Sequence, residues 1–597
     1  MKIKNLSKSQ DAFRIKLNKT LGAIIIIFCC FFLNLTALIA QSGNTVESIS
    51  NGQTIQKQLN KGEKHDYNVQ LNKGEFLDMT VMQNGVDVKI EISDPEDKII
   101  KEIDTPNGQF GPELIELYSE SAGPYRISVI PLGEDPTLSD SANAEYTSRN
   151  QGKYEINSVV ILSASDYKNK IESVKLKQAE TISSLKKYAH PLKTVVPGNG
   201  FKDLEFLETV LKNVDYVALG EATHGTKEFF QMKARLLEFL VKKMGFTVFT
   251  IEASYDGCNN INDYVLNGKG DAYTALASQG FWTWDTKEVI DMIEWMRSYN
   301  KSVPDDKKVK FLGFDSQGGG LEVLQNYFMK VDSLRANQMQ GFFTILNGLR
   351  NNADATVSTD SIKKEYFTFL SYFIMNKGNF VQKSSASEYE NALHIAVVNG
   401  QMLDTYFMDK TDIRMKEREW RDYYMASNFE YLVQREKPGT KFVLWAHNGH
   451  VSKNSEAYAN AGLKPMGSYL KKTFGDKYYS LGFSFSSGSF QAKEVTNDRN
   501  FLGLQEFNLS PAKDNSLDWY FSRTGYDKFI IDFSESDLPD NLKEFSETDL
   551  ETRSFGALAN RNFVESYYAP VTIKRDFDGM IFIDNTTRAV PNPKVIK

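Results

Sequence analysis

Hydrophobic and polar positions change rhythm several times along this chain. Residues 21–33 (LGAIIIIFCCFFL) are an unbroken apolar run, which continues through Asn34-Leu35-Thr36 to Ala40. From there to about residue 165 the period is two. Runs such as His65-Asp66-Tyr67-Asn68-Val69-Gln70-Leu71 and Val86-Asp87-Val88-Lys89-Ile90-Glu91-Ile92 alternate polar and apolar side chains. Turn pairs separate them: Asn51-Gly52, Lys61-Gly62, Lys73-Gly74, Asn84-Gly85 and Asn107-Gly108. Short alternating runs at this spacing predict a small all-β sandwich over 41–165. The polar, Lys-rich stretch 166–189 predicts a helical linker.

Beyond residue 190 the pattern becomes strand, helix, strand. Residues 214–219, 246–251, 308–314, 441–446 and 478–485 read as short buried strands. Helical periodicity fills the gaps, as in Phe229, Phe230, Leu236, Leu237, Leu240 and Val241. Thr226 stands where it would cap that helix and Gly245 where it would end it. The alternation predicts an α/β domain over 190–597, with a mostly parallel central sheet and flanking helices. Residues of about 320–435 carry long helical stretches and few strand signals, and are expected to be a helical insertion that could roof a site.

Composition narrows the partners. The chain has 597 residues and a formal net charge of -7, which argues against a nucleic-acid surface. Lys2, Lys4, Lys8, Arg14, Lys16 and Lys19 precede the first apolar run, so residues 1–40 read as a secretory signal peptide cleaved near Ala40. An uncleaved membrane anchor is the alternative, because 21–40 is just long enough to span. The expected location is periplasmic or extracellular. Cys29 and Cys30 would leave with the leader, so Cys258 would remain alone, without an internal disulfide.

The candidate chemistry lies where strand-like runs stop. The first ends in Gly220-Glu221-Ala222-Thr223-His224-Gly225, and the second contains Ile251-Glu252-Ala253-Ser254. The third ends in Phe314-Asp315-Ser316, and the fourth in Ala446-His447-Asn448-Gly449-His450. Parallel strands would bring all these ends to one edge of the sheet, the usual place for a site in an open α/β fold. Three of the chain's six histidines stand there beside carboxylates. A neutral His held by a carboxylate can take a proton from water, and a second His or a cation can stabilise the resulting oxyanion. The bland alternative for Asp315 is the cap of the following turn. No Gly-x-Ser-x-Gly elbow is present; Gly482-Phe483-Ser484-Phe485-Ser486 only approaches it. Glu221, His224, His447 and His450 could also offer ligands to zinc, although the two late histidines follow a strand rather than lying on a helix.

These residues resemble the signature of the erythromycin esterase family. The resemblance is carried by 220–230 (GEATHGTKEFF), Ile251-Glu252, Phe311-Leu312-Gly313-Phe314-Asp315 and Ala446-His447-Asn448-Gly449-His450-Val451. Weaker matches are 284–300 (WDTKEVIDMIEWMRSYN), 421–428 (RDYYMASN) and Met466-Gly467. The matches run in order over roughly 190–595 and leave out the leader and the β-module. The resemblance implies hydrolysis of an ester or lactone by water, without metal or other cofactor. It implies His224 as general base, with Glu221, Glu252, His447 and His450 lining the cleft. It points to Lys233, Asp315 and Arg421 as substrate contacts, although the family usually carries Arg at the position of Lys233. Lys keeps the charge and loses the planar two-pronged grip, so a macrolide substrate does not follow.

The expected partner is a small ester or lactone, with surface glycan or protein contact through the β-module. Two other readings compete: a metal-dependent peptidase or amidase, and a non-catalytic ligand-binding protein.

Overall fold

The computed structural model describes residues 46–105, 108–132, 150–350, 359–406, 413–456, 464–498 and 500–592. The leader expected over 1–40 lies outside the described residues. Two compact units divide the chain at Leu176/Lys177.

The first unit is β-rich. One sheet orders the strands Glu47–Ile49, His65–Leu71, Gly123–Pro131, Val88–Ser93 and Ile99–Ile103. The other orders Ile55–Leu59, Gly152–Leu162, Phe76–Asn84 and Phe110–Tyr118. The period of two works as expected: Tyr67, Val69 and Leu71 of one strand are buried, and they share a single apolar core with Leu77, Met79 and Val81 of the other sheet. The helix Ala164–Tyr188 follows, and the chain passes from one unit to the next within it.

The second unit is built on one large sheet. Its order is His190–Pro191, Lys528–Asp532, Gly579–Thr586, Tyr478–Val495, Tyr216–Leu219, Phe442–Trp445, Val248–Ser254 and Lys310–Asp315. The last six strands in that order run parallel to their neighbours. Lys528–Asp532 and His190–Pro191 are antiparallel additions at one edge. The strand from Tyr478 is longer than the sequence pattern suggests, because from Gly488 onward it pairs antiparallel with Phe501–Leu509.

Successive residues of the central strands enter two separate cores. Val217, Leu219, Phe249, Ile251, Val443 and Trp445 face the helices Lys227–Met244 and Lys287–Lys301. Ala218, Val248, Phe442 and Leu444 belong to the core on the other face. Both faces being covered explains why these strands read as continuous apolar runs.

The helix Lys227–Met244 ends as expected, with Gly245 left-handed at φ 75° and its N–H bonded to Leu240 O. Its start differs. The Thr226 side chain makes no capping bond; its hydroxyl pairs with that of Thr223 at 2.7 Å.

Among the described residues, 316–441 contain helices and no strand: Leu321–Val331, Ser333–Arg350, Thr359–Met375, Lys377–Lys383, Ala386–Tyr406 and Ile413–Gln434. Their apolar residues, among them Phe328, Phe369 and Phe429, join Phe442 and Leu444 in the second core. The described helices of this segment therefore pack against one face of the sheet, and the helix Ile413–Gln434 brings the charged Arg421 to its strand ends.

Candidate active site

Strand register explains why residues far apart in sequence meet. Leu219 pairs with Trp445, and Ile251 pairs with the same Trp445. Glu221 and His447 each stand two residues beyond their paired positions, and Glu252 stands one beyond. Parallel strands thus deliver them to a common edge.

The turn after Leu219 needs its glycines for close approach. A Cβ at Gly220 would lie 2.2 Å from Asn448 Oδ1, and one at Gly225 would lie 2.0 Å from Gln491 O. Asn448 ties this turn to the later one. Its backbone N–H donates to Glu221 O at 2.9 Å. Its side chain donates to Phe483 O at 2.7 Å and accepts from Phe483 N at 3.0 Å.

The Glu221 carboxylate is fully buried and accepts three hydrogen bonds. His224 Nδ1 meets Oε1 at 2.6 Å. Lys233 Nζ and Trp445 Nε1 donate to Oε2 at 2.6 and 2.8 Å. A carboxylate can accept from His224 only if Nδ1 carries hydrogen, so the neutral ring keeps its lone pair on Nε2. Among the described residues Nε2 has no hydrogen-bond partner, and the side chain is 10% exposed. The His224 ring stands perpendicular to that of Trp284, at 5.2 Å between centroids.

Lys233, expected to contact substrate, is instead wholly buried. Its Nζ lies over the Trp445 ring at 4.2 Å and is committed to Glu221. Burial pushes its pKa down to about 8 against the opposing pull of Glu221. Its work in this geometry is to hold the carboxylate that holds the imidazole.

Glu252 is the centre of a second charged group. Its Oε2 accepts the His447 backbone N–H at 3.0 Å. Its Oε1 accepts from Arg421 at 2.8 Å and lies 3.3 Å from His450 Nε2. Burial would raise the Glu252 pKa, but the charges of His450 and Arg421 outweigh it and hold the carboxyl well below its usual value. Arg421 also grips both oxygens of Asp315, at 3.1 and 2.9 Å. Asp315 is thus buried behind the guanidinium, with Gln317 on its other side at 3.0 Å. It positions Arg421 rather than standing open to a ligand. The Arg421 side chain keeps 21% of its surface exposed.

The two late histidines differ. His447 Nδ1 accepts the Gly449 N–H at 3.1 Å, and Nε2 lies 3.1 Å from Phe555 O, so backbone groups use both nitrogens. His450 Nδ1 lies 2.7 Å from Asp422 Oδ1, which also accepts the Met466 N–H. Burial lowers the His450 pKa, but Asp422 and Glu252 overcome it and bring it up to about 9. The His447 ring stands between the other two, 5.1 Å from His224 and 6.4 Å from His450.

The sequence-predicted set therefore meets in one place, divided between a Glu221 group and a Glu252 group. Trp445, Asp422, Asn448 and the Phe555 carbonyl also belong to the site and were not singled out in sequence. Asp422 had a visible signal, standing next to Arg421. Phe555 had none, since it acts through its backbone. A cavity of about 410 Å³ adjoins the late turn, lined by Asn448, Gly449, Ser452, Ser554 and Arg575 among others.

Comparison with known proteins relates the second unit to solved and curated proteins. The chain is similar to erythromycin esterase type II of Escherichia coli, 24% identical over 421 residues that cover 66% of this chain and 96% of that protein. It is 21% identical to erythromycin esterase type I of Escherichia coli over 346 residues, covering 54% of this chain and 82% of that one. A Bacillus cereus protein of known crystal structure matches with a TM-score of 0.59 at 24% identity, over 69% of this chain and 99% of its own. A mutant of the erythromycin esterase EreC in its open conformation matches with a TM-score of 0.52 at 16% identity, over 66% of this chain and 97% of its own. These two structures share the fold of the second unit. The erythromycin esterase family profile matches residues 241–586, more than half of the chain, and the chain belongs to that family.

Proposed function

We propose that the chain is a hydrolase of carboxylic ester or lactone bonds in which His224 activates water. The observation that carries this reading is the His224–Glu221 pair: Nδ1 is fixed on a buried carboxylate at 2.6 Å, and Nε2 has no hydrogen-bond partner among the described residues. In the step proposed, Nε2 takes a proton from water as the water oxygen attacks the carbonyl carbon. The imidazolium that forms lies against the Glu221 carboxylate, which stabilises it. Arg421, charged and partly exposed, is the electrophile offered to the carbonyl oxygen, and His450 assists as acid or oxyanion partner.

The reaction is proposed to need no metal. Support comes from the donors themselves. His447 directs both ring nitrogens to backbone groups, and His450 directs both to charged side chains. Export is proposed on the 1–40 leader pattern, and glycan or protein contact through the β-module on its appended position alone.

The test is a screen of esters, lactones and amides with native protein and His224→Ala in parallel. The proposal expects ester or lactone turnover that chelators leave intact and that His224→Ala abolishes. Full activity in His224→Ala on every ester that the native protein cleaves would overturn it.

A further inference from the structure

The site contains two carboxylate–imidazole pairs, and only Glu221–His224 serves the proposed base. The second is Asp422–His450. Asp422 belongs to the helix Ile413–Gln434, and its Oδ1 lies 2.7 Å from His450 Nδ1. Both partners are buried, and Asp422 is itself held by the Met466 N–H at 2.8 Å. An imidazole whose Nδ1 hydrogen is fixed in this way does all its proton exchange at Nε2.

Asp422 bears on Nδ1, and the two nearest charged groups from other positions bear on Nε2. Glu252, from the strand Val248–Ser254, lies 3.3 Å away through Oε1. Arg421, from the same helix as Asp422, lies 3.0 Å away through one terminal nitrogen. Asp315 stands behind Arg421, and the His447 ring stands 6.4 Å off. The two near groups are complementary. With a proton on Nε2, the ring can donate to Glu252. Without it, Nε2 can accept from Arg421. Both states of His450 therefore have a hydrogen-bond partner, and Asp422 accepts from Nδ1–H in both. Burial disfavours the charged ring, whereas the carboxylates of Asp422 and Glu252 favour it and raise its pKa to about 9.

We propose that Asp422 is a positioning residue that makes His450 the general acid of the reaction, the counterpart of Glu221 and the His224 base. This rests on the esterase reading above. As the tetrahedral intermediate collapses, the bond between carbonyl carbon and leaving oxygen breaks. The Nε2 proton of His450 passes to that oxygen, which leaves as the alcohol, and neutral His450 is then held by Arg421. The proton that His224 took from water returns to His450 through solvent, and the acid product loses its own proton to solvent. Two protonic devices, with their imidazoles beyond the ends of adjacent parallel strands, would so divide the two halves of hydrolysis. Asp422 and Arg421, successive residues of one helix, would set the second.

The proposal predicts a dependence on the leaving group. p-Nitrophenolate departs without help from an acid, whereas an alkoxide from ethyl butyrate or δ-valerolactone does not. For Asp422→Asn, the ratio of ethyl butyrate to p-nitrophenyl butyrate turnover should fall about a hundredfold, carried by kcat rather than KM. The basic limb of the alkyl-ester pH profile should move to lower pH. His224→Ala should abolish both substrates, because both need the base. A His224→Ala that spares both substrates defeats the base reading. An essential His224 with an unchanged ratio in Asp422→Asn defeats only the present inference.

A second readout does not need activity. The chain has only six histidines, so ¹⁵N-histidine labelling resolves the rings individually. His450 should be doubly protonated at pH 7 in the native protein and neutral in Asp422→Asn. A His450 ring that is neutral in the native protein, or unaffected by Asp422→Asn, overturns the proposal.

Discussion

Lys233 stands behind Glu221 rather than beside it: its ammonium takes Oε2 at 2.6 Å while His224 takes Oε1 at the same distance. Lysine, carboxylate and imidazole form one hydrogen-bonded chain, and both oxygens of the carboxylate are used. Lys233→Met should therefore damage both stability and chemistry. It leaves a fully buried carboxylate with Trp445 as its remaining Oε2 partner among the described residues, and breaking a buried pair in this way costs about 3–5 kcal/mol. The denaturant midpoint should drop accordingly. Without the ammonium the Glu221 carboxylate also loses the anchor that fixes the His224 ring, so kcat should fall while KM changes far less. A variant as stable and as active as the native protein would refute this role for Lys233.

Glu221→Gln separates orientation from charge. Glutamine fills the same space and can still accept from Nδ1–H, but its amide N–H₂ would face either Lys233 or the imidazole. Loss of the charge that stabilises the imidazolium should lower kcat about 10²–10⁴-fold, within the range of general-base contributions. Steady-state kinetics checks this, with KM expected to change far less than kcat.

Much of this site is legible in sequence because its chemistry sits where strands stop. Glu221, His224, Glu252, His447 and His450 interrupt strongly apolar runs, and such residues at parallel strand ends converge. The role of Lys233 is less legible. Its charge marks it as polar, yet helix periodicity alone does not say which charged position is buried, and all residues from 232 to 241 are. Arg421 and Asp422 lie on a helix far from the strand ends in sequence, so their arrival depends on how 321–434 packs on the sheet. In the β-rich unit the alternation was enough to place Tyr67, Val69 and Leu71 in the core. The length of the strand Tyr478–Val495 was not, because its second half is fixed by the hairpin partner Phe501–Leu509.

Two buried cations should give stability opposite slopes with pH. His450 has its pKa raised from 6.5 to about 9, so folding binds a proton that the unfolded chain loses between those values. Its contribution is complete below about pH 6.5 and is lost as pH rises through 9, by roughly 3 kcal/mol. Lys233 has its pKa lowered from 10.5 to about 8, so the unfolded chain binds the extra proton between those values. Its contribution therefore increases stability as pH rises from 8 toward 10.5. Denaturant titrations of native protein and His450→Gln from pH 6 to 9 should show a decline in the first that is absent in the second. Parallel curves would exclude His450 as its source.

Gly220 and Asn448 should be coupled energetically. A methyl group at Gly220 would lie 2.2 Å from Asn448 Oδ1, whereas its next neighbours, Leu481 O and Val451 Cγ2, are at 3.1 Å. Gly220→Ala alone must displace Asn448, and with it the hydrogen bonds to Phe483 that hold the turn bearing His447 and His450. Asn448→Ala alone leaves the buried Phe483 N–H and C=O without those partners, at about 1–3 kcal/mol each. Once Asn448 is shortened, however, the alanine at 220 keeps only the milder 3.1 Å contacts with Leu481 O and Val451 Cγ2. The double variant should be more stable than the sum of the single losses predicts, by roughly 0.5–3 kcal/mol. Gly225→Ala provides the contrast. Its Cβ would lie 2.0 Å from the backbone oxygen of Gln491, so no side-chain truncation relieves it. A double-mutant cycle that is additive for Gly220 and Asn448 would show that Asn448 is not what keeps residue 220 a glycine.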